Sequence, residues 1–150
     1  MQFQKEKIDG LQQELEPLLQ AHWEQIALNK DKIKLNPAWD EYIKFNNLGL
    51  IHFYTVRDKQ ELVGYFCVVV TKSLHYKDHI FATCDIIYVK QDKRAGMTGY
   101  KLIQFAEQDL KKLGVSALAI NTKVHAPFDK LLNRMDYNLT ERLYTKYIGE

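Results

Sequence analysis

One stretch of the chain gathers the residue types that hold anions: Lys90-Gln91-Asp92-Lys93-Arg94-Ala95-Gly96-Met97-Thr98-Gly99-Tyr100. Directly beyond it Leu102, Ile103, Ala106, Leu110 and Leu113 recur at helical spacing, so the stretch opens into a helix N-terminus. There, several backbone N–H groups have no partner inside the helix, and the positive end of the helix dipole faces outward. Gly96 and Gly99 carry no side chain that would keep a phosphate away, and Lys93 and Arg94 add positive charge. The residues read either as an anion site suited to a pyrophosphate or as a glycine-containing turn that merely starts a helix. Neither G-x-x-x-x-G-K-[ST] nor G-x-G-x-x-G occurs in the chain.

Two further groups could move protons. His75 stands in a polar loop beside Tyr76 and Asp78, and an imidazole titrates close enough to neutrality for proton transfer, although a lone loop histidine ordinarily has no such role. Asp85 interrupts the apolar run of residues 80–89, where a carboxylate is either a hydrogen-bonded structural group or a functional one. Cys67 and Cys84 lie inside apolar runs without C-x-x-C spacing or neighbouring histidines, and read as small core hydrophobes. No metal ligands are expected.

The elements that must position these groups follow from periodicity. Apolar residues from Ile8 to Ile26 recur every three or four positions and predict an amphipathic helix over 8–28, bent or divided at Pro17. Asn36 and Pro37 suit the cap and first position of a short helix ending near Gly49. Residues 50–56 and 62–71 read as a hairpin and 80–89 as a third strand of the same antiparallel sheet. A helix over 100–113, closed by Gly114, and a strand over 115–124 complete a βαβ unit with parallel strands. A helix over 127–135 and a last strand over 141–148 follow.

Composition bounds the function. The 150 residues, 46% hydrophobic and 27% charged, suit one globular domain spanning 1–150. With 21 basic and 19 acidic residues the charge is too balanced for a nucleic-acid footprint, although the pI of about 8.4 keeps a small nucleic-acid-binding domain as a third reading. No apolar run approaches the roughly 20 residues of a membrane span. Charges at Lys5, Glu6, Lys7, Asp9 and Glu14 exclude an apolar secretory h-region from the start of the sequence. A soluble, cytoplasmic protein without membrane or nucleic-acid partners is expected.

The order of elements and the Arg94–Gly99 loop together resemble the GNAT (GCN5-related N-acetyltransferase) superfamily over nearly the whole chain. Its hallmark, R/Q-x-x-G-x-G/A, is met by Arg94 and Gly99, while Met97 replaces the middle glycine and Gly96 stands one position earlier. The resemblance implies an α/β (α+β by some schemes) GNAT fold, with a mixed, mostly antiparallel sheet splayed between its fourth and fifth strands and flanked by helices. It also implies acetyl-CoA as cosubstrate and an amine acceptor, on a small molecule or a protein. The pyrophosphate would lie on Arg94, Ala95, Gly96, Met97, Thr98, Gly99 and Tyr100. The pantetheine arm would lie along Ile87, Tyr88 and Val89, with Asn121 across the gap. The runs His75–Asp78, Asp85–Val89 and Leu102–Glu107 are more narrowly similar to bacteriophage-encoded GNAT proteins, which would place the chain in a host cytoplasm.

Within that resemblance Asp85 is the expected general base and His75 a second candidate. The tyrosine that often protonates the leaving thiolate is replaced by Leu132. Tyr137 falls where the family has a packing aromatic, and Tyr144 is a more remote substitute. A thiolate leaves readily without an acid, so an N-acetyltransferase is expected, with a weakly active or inactive CoA-binding or protein-interaction module as the alternative. Homodimers are frequent among such folds, so one is allowed here.

Overall fold

The computed structural model describes residues 1–150. Five strands form one sheet in chain order: β1 (Gln2–Lys5), β2 (Ile51–Asp58), β3 (Glu61–Lys72), β4 (Ile80–Val89) and β5 (Val115–Ala119). Neighbours are antiparallel except β4 and β5, which are parallel. The helices are α1 (Gln12–Ile26), α2 (Trp39–Asn47), α3 (Thr98–Lys112), which crosses from β4 to β5, and α4 (Asp129–Arg134).

The central hairpin turns on Lys59 and Gln60, both left-handed with φ 48° and 75°, which matches the twist of the paired strands. At Gly64 the sheet is so tight that an added Cβ would stand 2.7 Å from the Tyr88 carbonyl oxygen. Alternation along β2, β3 and β4 fills two cores. Tyr54, Val56, Phe66, Val68 and Cys84 pack on α3, and Phe53, Leu62, Tyr65, Cys67 and Tyr88 pack beneath α1 and α2.

One irregularity bears directly on function. Val68 pairs with Cys84 and Cys67 pairs with Ile86, so Asp85 has no partner on β3 and forms a β-bulge. The bulge reverses the phase of β4: Ala82 and Cys84 share a core with Ile87 and Val89, whereas Ile86 and Tyr88 join the other.

Several expectations are corrected. β1 is an added edge strand that the polar Gln2-Phe3-Gln4-Lys5 does not announce. The first helix starts at Gln12, because Gly10, left-handed at φ 90°, holds the preceding residues in a turn that already buries Ile8. Pro17 lies inside an undivided α1, held by burial of Leu15, Leu18 and His22. Ala38, rather than Asn36, precedes α2, without a side-chain cap. β5 ends at Ala119 rather than at 124. Residues 138–150 form no strand, because no backbone hydrogen bond joins them to β5 or to any other strand. Leu143, Tyr144 and Ile148 are correspondingly exposed.

Candidate active site

β4 and β5 pair from Ile80↔Val115 only as far as Thr83↔Ala119, although β4 runs on to Val89. The outer edge of residues 84–89 is therefore open along a length of about 17 Å. On the inner edge Lys90 donates its N–H to Val63 O at 2.8 Å, and Tyr65 pairs with Tyr88. Period-two alternation then turns the backbone polar groups of Tyr88 toward β3 and those of Ile87 and Val89 toward the gap. Of the three residues expected to line a cofactor arm, Ile87 and Val89 turn their backbone groups to the gap, where the Val89 carbonyl already accepts Arg94 Nε. Tyr88 instead contributes a buried ring beneath α1.

Across the mouth of the gap, the exposed Asn121 follows β5 by two residues. Its backbone bonds to the thiol of Cys84. Burial, reinforced by the nearby Asp85 charge, pushes that thiol up to about 12, with the Asn121 bond pulling the other way. Burial likewise raises the thiol of Cys67. Neither cysteine is a thiolate at neutral pH.

β4 leads through a 3-10 turn (Gln91–Lys93) into the loop before α3. Gly96 and Met97 are consecutive left-handed residues, φ 73° and 66°. Met97 thus keeps the backbone conformation natural to glycine, at a cost of about 1 kcal/mol for a side-chain-bearing residue. The first helical bond of α3 is Lys101 N–H to Met97 O at 3.0 Å, and the amides of residues 95–100 make no hydrogen bond to the protein. Thr98 ties the loop to itself through Oγ1 to Ala95 O at 3.2 Å, and Gly99 sits where a Cβ would approach Leu131 of α4 to 3.2 Å. Six donors at a helix N-terminus, in a loop that has exposed Arg94, Ala95, Gly96 and Met97, fit a pyrophosphate.

The side chains expected to add charge are partly engaged. Lys93 pairs with Asp58 at 2.9 Å. Arg94 donates Nε to Val89 O at 2.8 Å and an Nη to Gln25 Oε1 at 2.9 Å, and stands 5.5 Å from the Tyr88 ring. Arg94 thereby ties the loop to α1. On the other face of this tie, His22 is stacked on Tyr88 at 5.0 Å and bonds through Nδ1 to the Tyr65 hydroxyl at 2.8 Å. Burial, with Arg94 and Lys123 nearby, depresses His22 to about 4, so it is neutral at pH 7.

Asp85 lies at the closed end of the gap, exposed, four residues and about 13 Å from Val89. Its Oδ2 accepts a 2.7 Å hydrogen bond from the Tyr42 hydroxyl of α2. Burial, then that bond, raises Tyr42 far above the ordinary phenol range, so it remains a donor. Nothing in the sequence pairs these two residues, which are separated by 43 positions; Tyr42 stands there only within the short helix that ends near Gly49. His75 is placed elsewhere, exposed in the loop between β3 and β4 and resting on Tyr76 with ring centroids 6.4 Å apart. From the start of β4 the strand runs a further 17 Å or so to Asp85. Leu132 is buried in the α3-side core, Tyr137 packs against that core and donates to Glu107 at 2.6 Å, and Tyr144 is exposed outside every element. No helix is long and apolar enough to cross a membrane.

No family model and no curated protein matches the chain. Solved structures do. A GCN5-related N-acetyltransferase from Ralstonia eutropha JMP134 superposes with TM-score 0.78 at 14% identity, covering 99% of both chains. A ribosomal-protein-alanine N-acetyltransferase from Brucella melitensis gives TM-score 0.74 at 19% identity, again over 99% of both. A predicted acetyltransferase from Clostridium acetobutylicum, with acetyl-CoA, gives 0.71 at 7% identity over 98% of this chain and 96% of its own. The five-stranded sheet, parted between its fourth and fifth strands, and its four helices thus have the fold of the GCN5-related N-acetyltransferases.

Proposed function

We propose that this chain is a single-domain, acetyl-CoA-dependent N-acetyltransferase acting on a primary amine. The observation that carries the reading is the continuity of the open β4 edge, from Asp85 to Val89, with the unpartnered amides of residues 95–100. A long ligand with a pyrophosphate at one end and a reactive group at the other fits that sequence of features. Acetyl-CoA supplies an activated acetyl thioester when bound.

The residues divide the work. The amides of Ala95 to Tyr100, with Arg94 beside them, hold the pyrophosphate. The edges of Ile87 and Val89 bond the pantetheine arm as a strand would, with the Tyr88 ring beneath and Asn121 opposite. Asp85 takes the proton that an incoming ammonium must lose before its nitrogen can attack. We assign this step to Asp85 rather than to His75, which lies beyond the paired end of the sheet. With Leu132 in the acid position, the thiolate leaves unprotonated or draws its proton from water. The likeness to phage-encoded members is carried by the runs His75–Asp78, Asp85–Val89 and Leu102–Glu107.

Calorimetric titration of the purified protein with acetyl-CoA, with desulfo-CoA and ADP as controls, tests the reading without an acceptor. Micromolar binding that weakens at least about 10-fold in Gly99→Glu is expected, because the new carboxylate faces both the phosphates and Leu131. No binding at millimolar acetyl-CoA would overturn the function, and an unchanged affinity in Gly99→Glu would misplace the loop. Acetyl-CoA binding with no acetylation across a broad amine panel would favour the alternative, a binding module that has kept the fold without turnover; Leu132 is the observation in its favour.

A further inference from the structure

The Tyr42–Asp85 contact joins α2 to the one residue of β4 that the sheet does not pair. The bulge frees Asp85 from the alternation of its strand and turns its carboxylate toward α2, where Trp39 steadies the Tyr42 ring at 6.2 Å. Asp85 is exposed and therefore has water for its oxygens, so the buried half of Tyr42 gains no obligatory partner by bonding it. No protein hydrogen bond reaches Oδ1.

We infer that Tyr42 is the positioning residue of the reaction: it holds Asp85 by Oδ2, so that Oδ1 is presented to the incoming amine. This rests on the reading of Asp85 as the base. The titratable groups that face Asp85 are Tyr42 from α2, Tyr65 and Cys67 from β3, and Cys84 beside it on β4. No lysine, arginine or histidine is paired with it. With no cation in contact, the phenol is the one side chain that bonds the carboxylate directly.

The test is CoA release from acetyl-CoA over a panel of primary amines, in the full chain, for Tyr42→Phe, which keeps the ring and its packing, for Asp85→Asn and for the two together. Tyr137→Phe is the control, since it removes a similar tyrosine–carboxylate bond at Glu107. In Tyr42→Phe kcat should fall about 10-fold with the KM for acetyl-CoA unchanged, Asp85→Asn should fall at least as far, and the double variant should be no slower than Asp85→Asn alone, while Tyr137→Phe keeps the parent rate. That pattern supports the inference. A parent rate in Tyr42→Phe beside a slow Asp85→Asn, or losses that multiply in the double variant, overturns the inference and leaves Asp85 as the base. Release unchanged in Asp85→Asn, or absent from the parent with every amine, removes the base, and the inference falls with it.

Discussion

The two sides of β4 are built to opposite ends. On its inner side the strand pairs with β3 from Lys72↔Ile80 to Gly64↔Val89, broken only by the bulge at Asp85. On its outer side it pairs with β5 for the first few residues and then with nothing. The inner side is continuous with buried rings, Tyr65 and Phe66 among them, while the outer side gives onto exposed Asn121 and the exposed loop before α3. The difference teaches that the open slot is made by withholding a strand partner, and that the ladder opposite is what holds the unpaired edge in place.

The largest effect should come from prying at the closed side. Gly64→Val places a branched side chain where even a Cβ would meet the Tyr88 carbonyl at 2.7 Å and a Val56 methyl at 2.9 Å. Chemical denaturation should show a loss of more than about 3 kcal/mol. A loss below about 1 kcal/mol would mean that the inner ladder yields easily and is not what holds the edge.

A smaller effect lies where the two sides meet, at His22 beneath Tyr88. Its pKa is about 4 in the folded chain against an ordinary 6.5, so between those values the unfolded chain binds the extra proton. Stability from this group is complete above about pH 6.5 and is lost as pH falls to about 4, by up to about 3 kcal/mol. Denaturation curves over that window should fall more steeply for the parent than for His22→Phe. Parallel curves would show that the imidazole is not held neutral.

The smallest effect is expected beyond the open side. The backbone of residues 138–150 makes no hydrogen bond to the rest of the chain, and Tyr147 touches it mainly through Lys32, 4.7 Å above its ring. Truncation after Asn138 should change stability by less than about 0.5 kcal/mol. A loss of several kcal/mol would mean that this segment covers the β5 edge in solution and would redraw the outer half of the comparison.

What the sequence disclosed divides along the same line. β2, β3, β4 and α3 were legible because their apolar period is strong and their ends carry turn signals: Lys59-Gln60, the loop at Gly96 and the cap at Gly114. β1 was not, since it packs Phe3 alone among polar residues and exists through its pairing with β2. The loop amides were foreseeable from Gly96, Gly99 and the helix beyond. The Asp85 bulge was not, because register is a property of two strands and Val68 lies 16 residues before its partner Cys84, with nothing local to mark a skipped partner. Tyr42 and His22 were invisible as site neighbours for the same reason, since each meets its partner only after helices and sheet have docked.

The bulge also dictates which genetic changes this strand can absorb. Because Asp85 is a supernumerary residue, the stretch 86–89 is out of step with 80–84, and the cores on either side are filled according to that offset. A substitution at 85 alters one carboxylate. A deletion at 85 would close the bulge, with Cys84 directly before Ile86, and would leave Ile86, Ile87, Tyr88 and Val89 on the faces they now occupy, Tyr88 still toward His22 and Val89 still in the α3-side core. Position 85 is therefore a place where β4 could lose a residue without exchanging its two cores, at the loss of the carboxylate alone.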